Sequence, residues 1–249
     1  MSGHNKWTNI KHKKGKQDAI KGKIYTKMGK LIAVAAREGG SDPSTNAKLK
    51  EPIAKAKANN MPNDNIERAI KKGAGELGGG NYENITYEGY GIGGIAVIVE
   101  TLTDNRNRTA GDVRYIFDKN GGNLGSSGCV SYLFDEKGTI LIDAEDCPLD
   151  EDALMELALD AGADNFETSE DGYEITTEPA DFAAVLKAIE DANIPTVSAE
   201  VAKVPQTETE LTDPDQLKKF LKMLDMFDDN DDVQDVYHNA ILPEEDDED

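Results

Sequence analysis

Positively charged side chains crowd the start of the sequence, and one tryptophan lies among them. The lysines continue into the next segment at a spacing that places them along one side of a helix. Each lysine can neutralise a phosphate and release counterions condensed on a nucleic acid, and an exposed indole can stack on a base. The residues that this pattern nominates for nucleic-acid binding are Lys6, Trp7, Lys11, His12, Lys13, Lys14, Lys16, Lys23, Lys27 and Lys30.

The lysine-rich leader, residues 1 to 16, and the lysines behind it also have less specific explanations. The lysines can form an ordinary solvated helix face, and Trp7 can be a core anchor that fixes the leader. No base-reading pattern is visible, because lysine is a point charge and the forked guanidinium occurs in this region only at Arg37 and Arg68. The sequence therefore predicts affinity for phosphates without direct readout of bases.

Three further segments carry polar groups that suit an anion or a cation. Arg106 and Arg108 lie where a predicted strand meets a predicted helix, a favourable place to hold a phosphate, with pairing to nearby carboxylates as the alternative. The glycine-rich loop Gly121 to Gly128 can expose amides to an anion, but it lacks a Gly-Lys-Ser/Thr ending, so tight turns are the preferred interpretation. The acidic run Asp228 to Asp232 fails the EF-hand spacing and is expected to form a capped turn.

The net charge of −22 conceals two regions of opposite sign. Residues 1 to 72 hold 17 Lys and Arg against 6 Asp and Glu, whereas residues 73 to 249 hold 10 against 43. A polyanion is therefore repelled by most of the surface and attracted to one end. Glu244 to Asp249 are all acidic and predict a solvating tail.

The composition argues against an enzyme, a metal centre and a membrane protein. Cys129 and Cys147 form no C-x-x-C pair, so zinc and dithiol chemistry are not expected. The histidines His4, His12 and His238 are scattered, and no nucleophile, base and orienting group occur together at a recognisable catalytic spacing. The leader has no apolar segment behind it, and no apolar run approaches the roughly 20 residues of a membrane span. We expect a cytoplasmic monomer without catalytic residues, metal or small-molecule cofactor.

Hydrophobic spacing predicts three helices in the first 72 residues. The expected limits are Asp18 to Gly39 for the first, a second helix begun by Asp42 and Pro43 and kinked or restarted at Pro52, and a third capped by Asn63 or Asp64 and closed by Gly73. A glycine-rich linker at Gly73 to Gly80 then separates this part from strand-like sequence. The first 80 residues are thus predicted to be a basic helical domain with its linker.

The remaining sequence predicts two α+β domains. Residues 81 to 130 suggest two strands, a helix from Arg106 to Lys119 and a glycine-rich turn. Residues 131 to 204 suggest a strand pair around Lys137 and Gly138, followed by helix, hairpin, helix and strand, which is the β-α-β-β-α-β order of a ferredoxin-like unit. A helix and a strand in residues 205 to 243 are expected to complete the middle domain. The predicted fold is therefore α+β, with two ferredoxin-like domains, one inserted in the other.

Six sequence blocks, taken in order, resemble the YebC family. The blocks are MSGHNKWTNIKHKKGKQDA, KIYTKMGKLI, MPNDNIERAIKKGAG, YEGYGIGGIAVIVETLTDNRNRTA, FDKNGGNLGSSGCVSYLF and DVYHN. They run from Met1 to about Pro243, and long blocks of this kind are far more specific than short motifs. The resemblance implies a helical N-terminal domain followed by two α+β domains, which agrees with the elements predicted above.

The resemblance also implies a function in gene expression. Bacterial members are generally described as transcriptional regulators that bind DNA, and a mitochondrial relative activates translation. We therefore expect a non-enzymatic regulator that binds DNA through its basic N-terminal domain. The alternative is a ribosome-associated translation factor that uses the same lysines on ribosomal RNA, since shaped RNA can be held without a base-reading motif.

Overall fold

The computed structural model describes Trp7 and residues 17–78, 81–169 and 171–243. By its internal contacts the chain divides into two compact units. The larger unit comprises Lys16–Ser131 and Leu211–His238, and the smaller comprises Met1–Gly15, Tyr132–Glu210 and Asn239–Asp249. Within the described residues, no helix is both long enough and apolar enough to cross a bilayer. The domain limits expected from the sequence stay a prediction.

Three helices open the larger unit: α1 (Gln17–Gly39), α2 (Ala47–Ala58) and α3 (Asn63–Gly73). Their apolar residues recur every three or four positions, so each helix presents one apolar stripe. The stripes meet in a core formed by Ile32, Ala35, Ala36, Leu49, Ala56, Met61, Ile66 and Ala69. Burial of this shared face stabilises all three helices, of which α2 and α3 are too short to be stable alone.

The boundaries of α2 and α3 differ from those expected. Asp42 accepts a bond from Ser44 N at 2.8 Å inside a turn, and Asn46 instead caps α2 through its Oδ1, which accepts from Lys48 N at 3.1 Å. Asn46 is the better cap because its buried amide also donates to Ala35 O and Gly40 O, both at 2.8 Å. Helix α2 continues through Pro52, since packing against α1 outweighs one lost donor, and Pro62 precedes α3 without a side-chain cap.

An antiparallel sheet forms the second part of the larger unit. Its strands are β1 (Glu83–Tyr90), β2 (Ala96–Thr103), β3 (Asn123–Leu124) and β9 (Val233–His238), in the order β3-β1-β2-β9. Helix α4 (Arg106–Lys119) has the predicted limits, and α7 (Pro214–Asp228) approaches it through the ring pair Phe117 and Phe227, with centroids 5.3 Å apart. The near-continuous apolar run of β2 is buried on both faces.

The smaller unit has the β-α-β-β-α-β order expected from the sequence. Its elements are β4 (Phe134–Asp143), α5 (Glu151–Asp160), β5 (Asn165–Thr168), β6 (Gly172–Thr177), α6 (Phe182–Asp191) and β7 (Ser198–Pro205). The strands form an antiparallel sheet in the order β5-β6-β4-β7, which is the ferredoxin-like arrangement. Two short strands of the same unit, β8 (Thr209–Glu210) and β10 (Ala240–Ile241), pair in parallel.

Two details differ from the sequence-based expectation, although the α+β class is confirmed. Residues 134 to 143 form one long strand, because Gly138 pairs with Thr177 on one side and Val201 on the other. A Cβ added to Gly138 would lie 2.3 Å from Thr177 Oγ1. Glycine is therefore required here by close packing and not by a turn. In the larger unit the β1–β2 hairpin comes first in the chain and lies at the centre of the sheet. In the smaller unit the β5–β6 hairpin follows the first strand and helix and lies at one side of the sheet.

Candidate nucleic-acid interface

The nominated leader residues lie largely outside the described part of the chain. These residues are Lys6, Lys11, His12, Lys13, Lys14 and Lys16. Their assignment to nucleic-acid binding therefore rests on charge and spacing alone and stays a prediction.

Trp7 is the described residue of the leader, and its side chain is buried with 5% of its surface exposed. Its ring lies against β6, where a Cβ added to Gly172 would fall 3.0 Å from Trp7 Cζ2. Gly172 has a φ of +150°, and its absent side chain leaves room for the indole. Trp7 is thus a core anchor in the smaller unit, which is the alternative that the sequence offered to an exposed stacking ring.

Two of the three lysines nominated on α1, Lys23 and Lys30, form ion pairs in the larger unit. Lys23 Nζ lies 2.6 Å from Asp229 Oδ1 at an exposed position, and Lys27 is half-buried. Lys30 is more deeply placed, with 12% of its side chain exposed, and its ammonium lies 2.6 Å from Asp232 Oδ1. It also donates to the carbonyl of Asp231 at 2.8 Å. Lys23 and Lys30 therefore fasten α1 to the loop before β9.

Asp232 collects donors from three segments of the larger unit. Besides Lys30, Arg108 Nη2 and Thr109 Oγ1 each donate to Asp232 Oδ2 at 2.8 Å, and Thr103 Oγ1 donates at 3.2 Å. Burial would raise the pKa of Asp232, but the bonds from Lys30, Arg108 and Thr109 outweigh it and lower the pKa from 3.8 to about 2. The carboxylate is thus held in its charged form and joins α1, the start of α4 and β9.

Both arginines at the start of α4 pair with carboxylates, as the alternative interpretation anticipated. Arg106 Nη2 lies 3.1 Å from Glu83 Oε2, and Arg108 bonds Asp104 at 3.0 Å in addition to Asp232. The bonds to Asp232 and Asp104 raise the pKa of Arg108 above its usual value. A phosphate would therefore compete with these carboxylates for the N–H donors of either guanidinium.

The amides that end the glycine-rich loop are occupied by a carboxylate of the protein. Glu88, buried on β1, accepts bonds from the backbone N–H groups of Gly128 at 2.8 Å, Val130 at 3.0 Å and Ser131 at 2.8 Å. Burial opposes the charge of Glu88, but these three donors prevail and its pKa is lowered. These amides therefore already bind an internal anion, which counts against the anion-nest alternative, and Glu88 orders the loop.

Two other cations of the helical part contact Tyr82, just beyond the linker. Arg37 Nη1 donates to Asn81 Oδ1 at 2.8 Å, and Lys72 Nζ donates to Tyr82 Oη at 2.7 Å. The same ammonium lies 5.3 Å from the centre of the Tyr82 ring, within the range of a cation–π contact. These side chains connect the helices to β1 and are engaged inside the protein.

Sequence reasoning missed a different set of cations on α2 and α3. The side chains of this set are exposed and form no ion pair within the described residues: Lys50, Lys57, Arg68 and Lys71. Lys50 and Lys57 each follow a buried core residue, Leu49 and Ala56. The seven-residue spacing of those core positions was the signal that could have placed the two lysines on one exposed face.

Within the described residues, no group of three His, Cys, Asp or Glu side chains is arranged to hold a metal ion. The side chains brought together are instead cations and their internal acceptors. The geometry defines an α+β protein with a basic helical part in which some cations hold the fold and others face solvent.

Comparisons with known proteins agree with this architecture. A family model described as the TACO1/YebC protein N-terminal domain matches residues 5–76, and one described as the TACO1/YebC second and third domain matches residues 82–240. The chain belongs to the TACO1/YebC family.

Relatives cover almost the full chain. Proteins named "Probable transcriptional regulatory protein" from Lachnoclostridium phytofermentans and Agathobacter rectalis are 58% and 59% identical over 96% of this chain and 99% of their own lengths. The crystal structure of a conserved hypothetical protein from Aquifex aeolicus is 44% identical and has a TM-score of 0.81, covering 93% of this chain and 94% of that one.

Proposed function

We propose that this protein is a non-enzymatic regulator of transcription that binds DNA through its basic N-terminal region, as a monomer in the cytoplasm. The observation that carries the proposal is the separation of charge. Residues 1 to 72 hold 17 basic and 6 acidic side chains on a chain whose net charge is −22. The names of the relatives, as probable transcriptional regulatory proteins, support a regulatory role.

Lysine dominates the basic region, which favours contact with phosphates over contact with bases. Lysine carries a point charge, and bidentate recognition of guanine requires the arginine fork or a well-placed lysine in a groove. Arg37 is engaged with Asn81, which leaves Arg68 as the other arginine of residues 1 to 72. Choice of a DNA site therefore depends on DNA shape or on a partner protein.

Binding of the full-length chain to duplex DNA across a salt series tests the proposal. With about five phosphate contacts, the logarithm of affinity should fall against the logarithm of salt concentration with a slope near −4.5. Replacement of Lys11, Lys13, Lys14 and Lys16 by Ala should weaken binding and flatten this slope. A wild-type slope near zero contradicts the proposal.

A control variant removes the same number of charges from the acidic region. Lys187, Lys218, Lys219 and Lys222 are exposed, and their replacement by Ala changes the net charge equally. If both four-lysine variants reduce affinity to the same extent, total charge governs binding and the N-terminal region has no special role.

The second candidate is a translation factor that binds ribosomal RNA. A surface of lysines without base-reading groups suits the shape and the 2′-hydroxyls of folded RNA as well as it suits DNA. Sedimentation of cell lysate distinguishes the candidates. Ribonuclease-sensitive migration with ribosomes supports the RNA function, whereas a protein confined to the top of the gradient contradicts it.

A further inference from the structure

One set of exposed cations on α2 and α3 differs from the cations that hold the fold, because its members have no carboxylate partner in the described residues. Lys23, Lys30 and Arg108 have carboxylate partners, and Lys72 is bonded to Tyr82. Lys50, Lys57, Arg68 and Lys71 pair with no side chain in the described part of the chain, although the protein has 49 acidic residues. Even Glu67, four residues before Lys71, forms no ion pair with it, so these cations keep their charge available to an external anion.

Helix geometry keeps the cations of each helix off the side that faces the core. Lys50 and Lys57 are seven residues apart, which is two turns, and they follow core residues Leu49 and Ala56 by one position. Arg68 and Lys71 are three residues apart on α3, whose inward side carries Ile66 and Ala69. Each helix thus presents two cations along one exposed line.

We propose that this exposed surface of α2 and α3, formed by Lys50, Lys57, Arg68 and Lys71, holds the phosphate backbone of the bound nucleic acid. The inference rests on the proposed function and adds a second contact surface to the leader. Along α2 the two lysines are separated by about 10 Å, since a helix rises about 1.5 Å per residue. Long, flexible lysine side chains at that separation can reach two different phosphates of one strand.

The surface suits a nucleic acid better than an acidic protein. Protein interfaces gain most of their affinity from buried aromatic and large apolar anchors. The exposed large hydrophobic residues of the described chain are Leu77, Tyr115, Tyr132, Leu159, Val201 and Ile241, all of which lie outside α2 and α3. A surface of separated cations without apolar anchors matches the regular charges of a phosphate backbone.

Two double variants on the same helix test the inference in the full-length chain. Lys50→Gln with Lys57→Gln removes the unpaired lysines, whereas Lys48→Gln with Lys55→Gln removes lysines paired with Glu38 at 2.6 Å and Glu51 at 3.0 Å. Both variants lose two positive charges from exposed positions of α2. Binding is measured by fluorescence anisotropy on duplex DNA and on a folded RNA from about 50 to about 200 mM salt.

The unpaired-lysine variant should lower the salt slope by about 1.8, because each lost phosphate contact removes about 0.9. The paired-lysine control should keep a slope close to that of wild type. Arg68→Gln with Lys71→Gln should reproduce the loss from α3. Circular dichroism checks that each variant keeps its helical content.

Three outcomes overturn the inference. Equal slope changes in the two α2 variants would show that only net charge matters. An unchanged slope in both unpaired-cation variants, together with a reduced slope in the four-lysine leader variant, would leave the proposed function intact and remove this surface from it. A loss of binding to polyglutamate with unchanged binding to nucleic acid would identify an acidic protein as the occupant.

Discussion

At the scale of single residues, Asp232 is a polar side chain whose replacement should strongly destabilise the protein. Its carboxylate is buried and accepts bonds from Lys30, Arg108 and Thr109. Asp232→Asn leaves the partly buried ammonium of Lys30 without a counter-charge, so we expect unfolding to become easier by about 3 kcal/mol. Urea denaturation monitored by circular dichroism measures this change.

Asp229→Asn is the matched control, since Asp229 pairs with Lys23 on the same helix at an equal distance of 2.6 Å. That pair is solvent-exposed, and surface pairs contribute less than about 1 kcal/mol. Equal destabilisation by the two substitutions would contradict the importance of burial at Asp232.

Asp232 also predicts a pH dependence of stability. Its pKa is lowered from 3.8 to about 2 in the folded chain, so the unfolded chain binds the proton more readily. The resulting stabilisation, on the order of 2 kcal/mol, is fully present above pH 3.8 and is lost as the pH falls toward 2. The difference in unfolding free energy between wild type and the Asp232→Asn variant should therefore decrease as the pH falls from 3.8 toward 2. A free-energy difference that stays constant as the solution is acidified would contradict a lowered pKa of Asp232 in the folded chain.

Trp7 allows a direct spectroscopic test, because it is the single tryptophan of the chain. A buried indole should emit at shorter wavelength than the unfolded chain and resist quenching by acrylamide, since its ring is packed against Gly172. Addition of duplex DNA should leave the emission unchanged. Strong quenching by DNA would restore the stacking role suggested by the sequence.

At the scale of elements, Glu88 on β1 orders the loop that precedes the smaller unit. Glu88→Gln keeps the size of the side chain but replaces a charged acceptor of three backbone bonds by a neutral one. Bonds to charged groups contribute about 1.5–3 kcal/mol each, so a loss of about 2 kcal/mol is expected. Amide hydrogen exchange should accelerate at Gly128, Val130 and Ser131.

Glu83→Gln on the same strand is the control for Glu88. Glu83 is exposed and pairs with Arg106, so its substitution should leave exchange in the loop unchanged. Unchanged exchange in the Glu88 variant would show that the loop is ordered by other contacts.

The elements were predictable where a local pattern specifies them. Helix α4 was predicted with its observed limits because Arg106–Lys119 is periodic and is followed by Asn120 and two glycines. Gly138 misled the prediction, because the sequence does not distinguish a turn glycine from one required by close packing against Thr177 and Phe182. The start of α2 was missed because Asn46 is selected by bonds to Ala35 and Gly40, which the local sequence does not reveal.

The candidate site was predictable as a region and much less so as a set of residues. Charge counting finds the basic region, because every lysine contributes whatever its surroundings. Pairing depends on tertiary structure: Lys30 meets Asp232 from the opposite end of the chain, so its structural role has no sequence signal. Lys50 and Lys57 could have been found, because helical spacing alone separates them from Leu49 and Ala56.

At the scale of the whole molecule, the acidic residues are expected to limit binding of polyanions. Deletion of Glu244 to Asp249 removes six negative charges. Affinity for DNA should rise and discrimination between DNA targets should fall, because less repulsion opposes non-specific contacts. Competition binding between two unrelated duplexes measures both quantities.

A variant with Gln at all six tail positions separates charge from chain length. It should behave like the deletion if repulsion is the cause. Wild-type affinity in this uncharged variant, with raised affinity in the deletion, would show that the tail acts by occupying space.

The pairing of β2 with β9 has a consequence for biosynthesis. Val97 pairs with His238, and the whole of residues 132 to 210 lies between the two strands in the chain. During synthesis β2 emerges from the ribosome long before its neighbour exists, so the nascent sheet has an unpaired edge along Ala96–Thr103. Translation that stops before Val233 leaves that apolar edge open permanently. Chains terminated before β9 should therefore expose an apolar strand edge that chaperones and proteases can recognise.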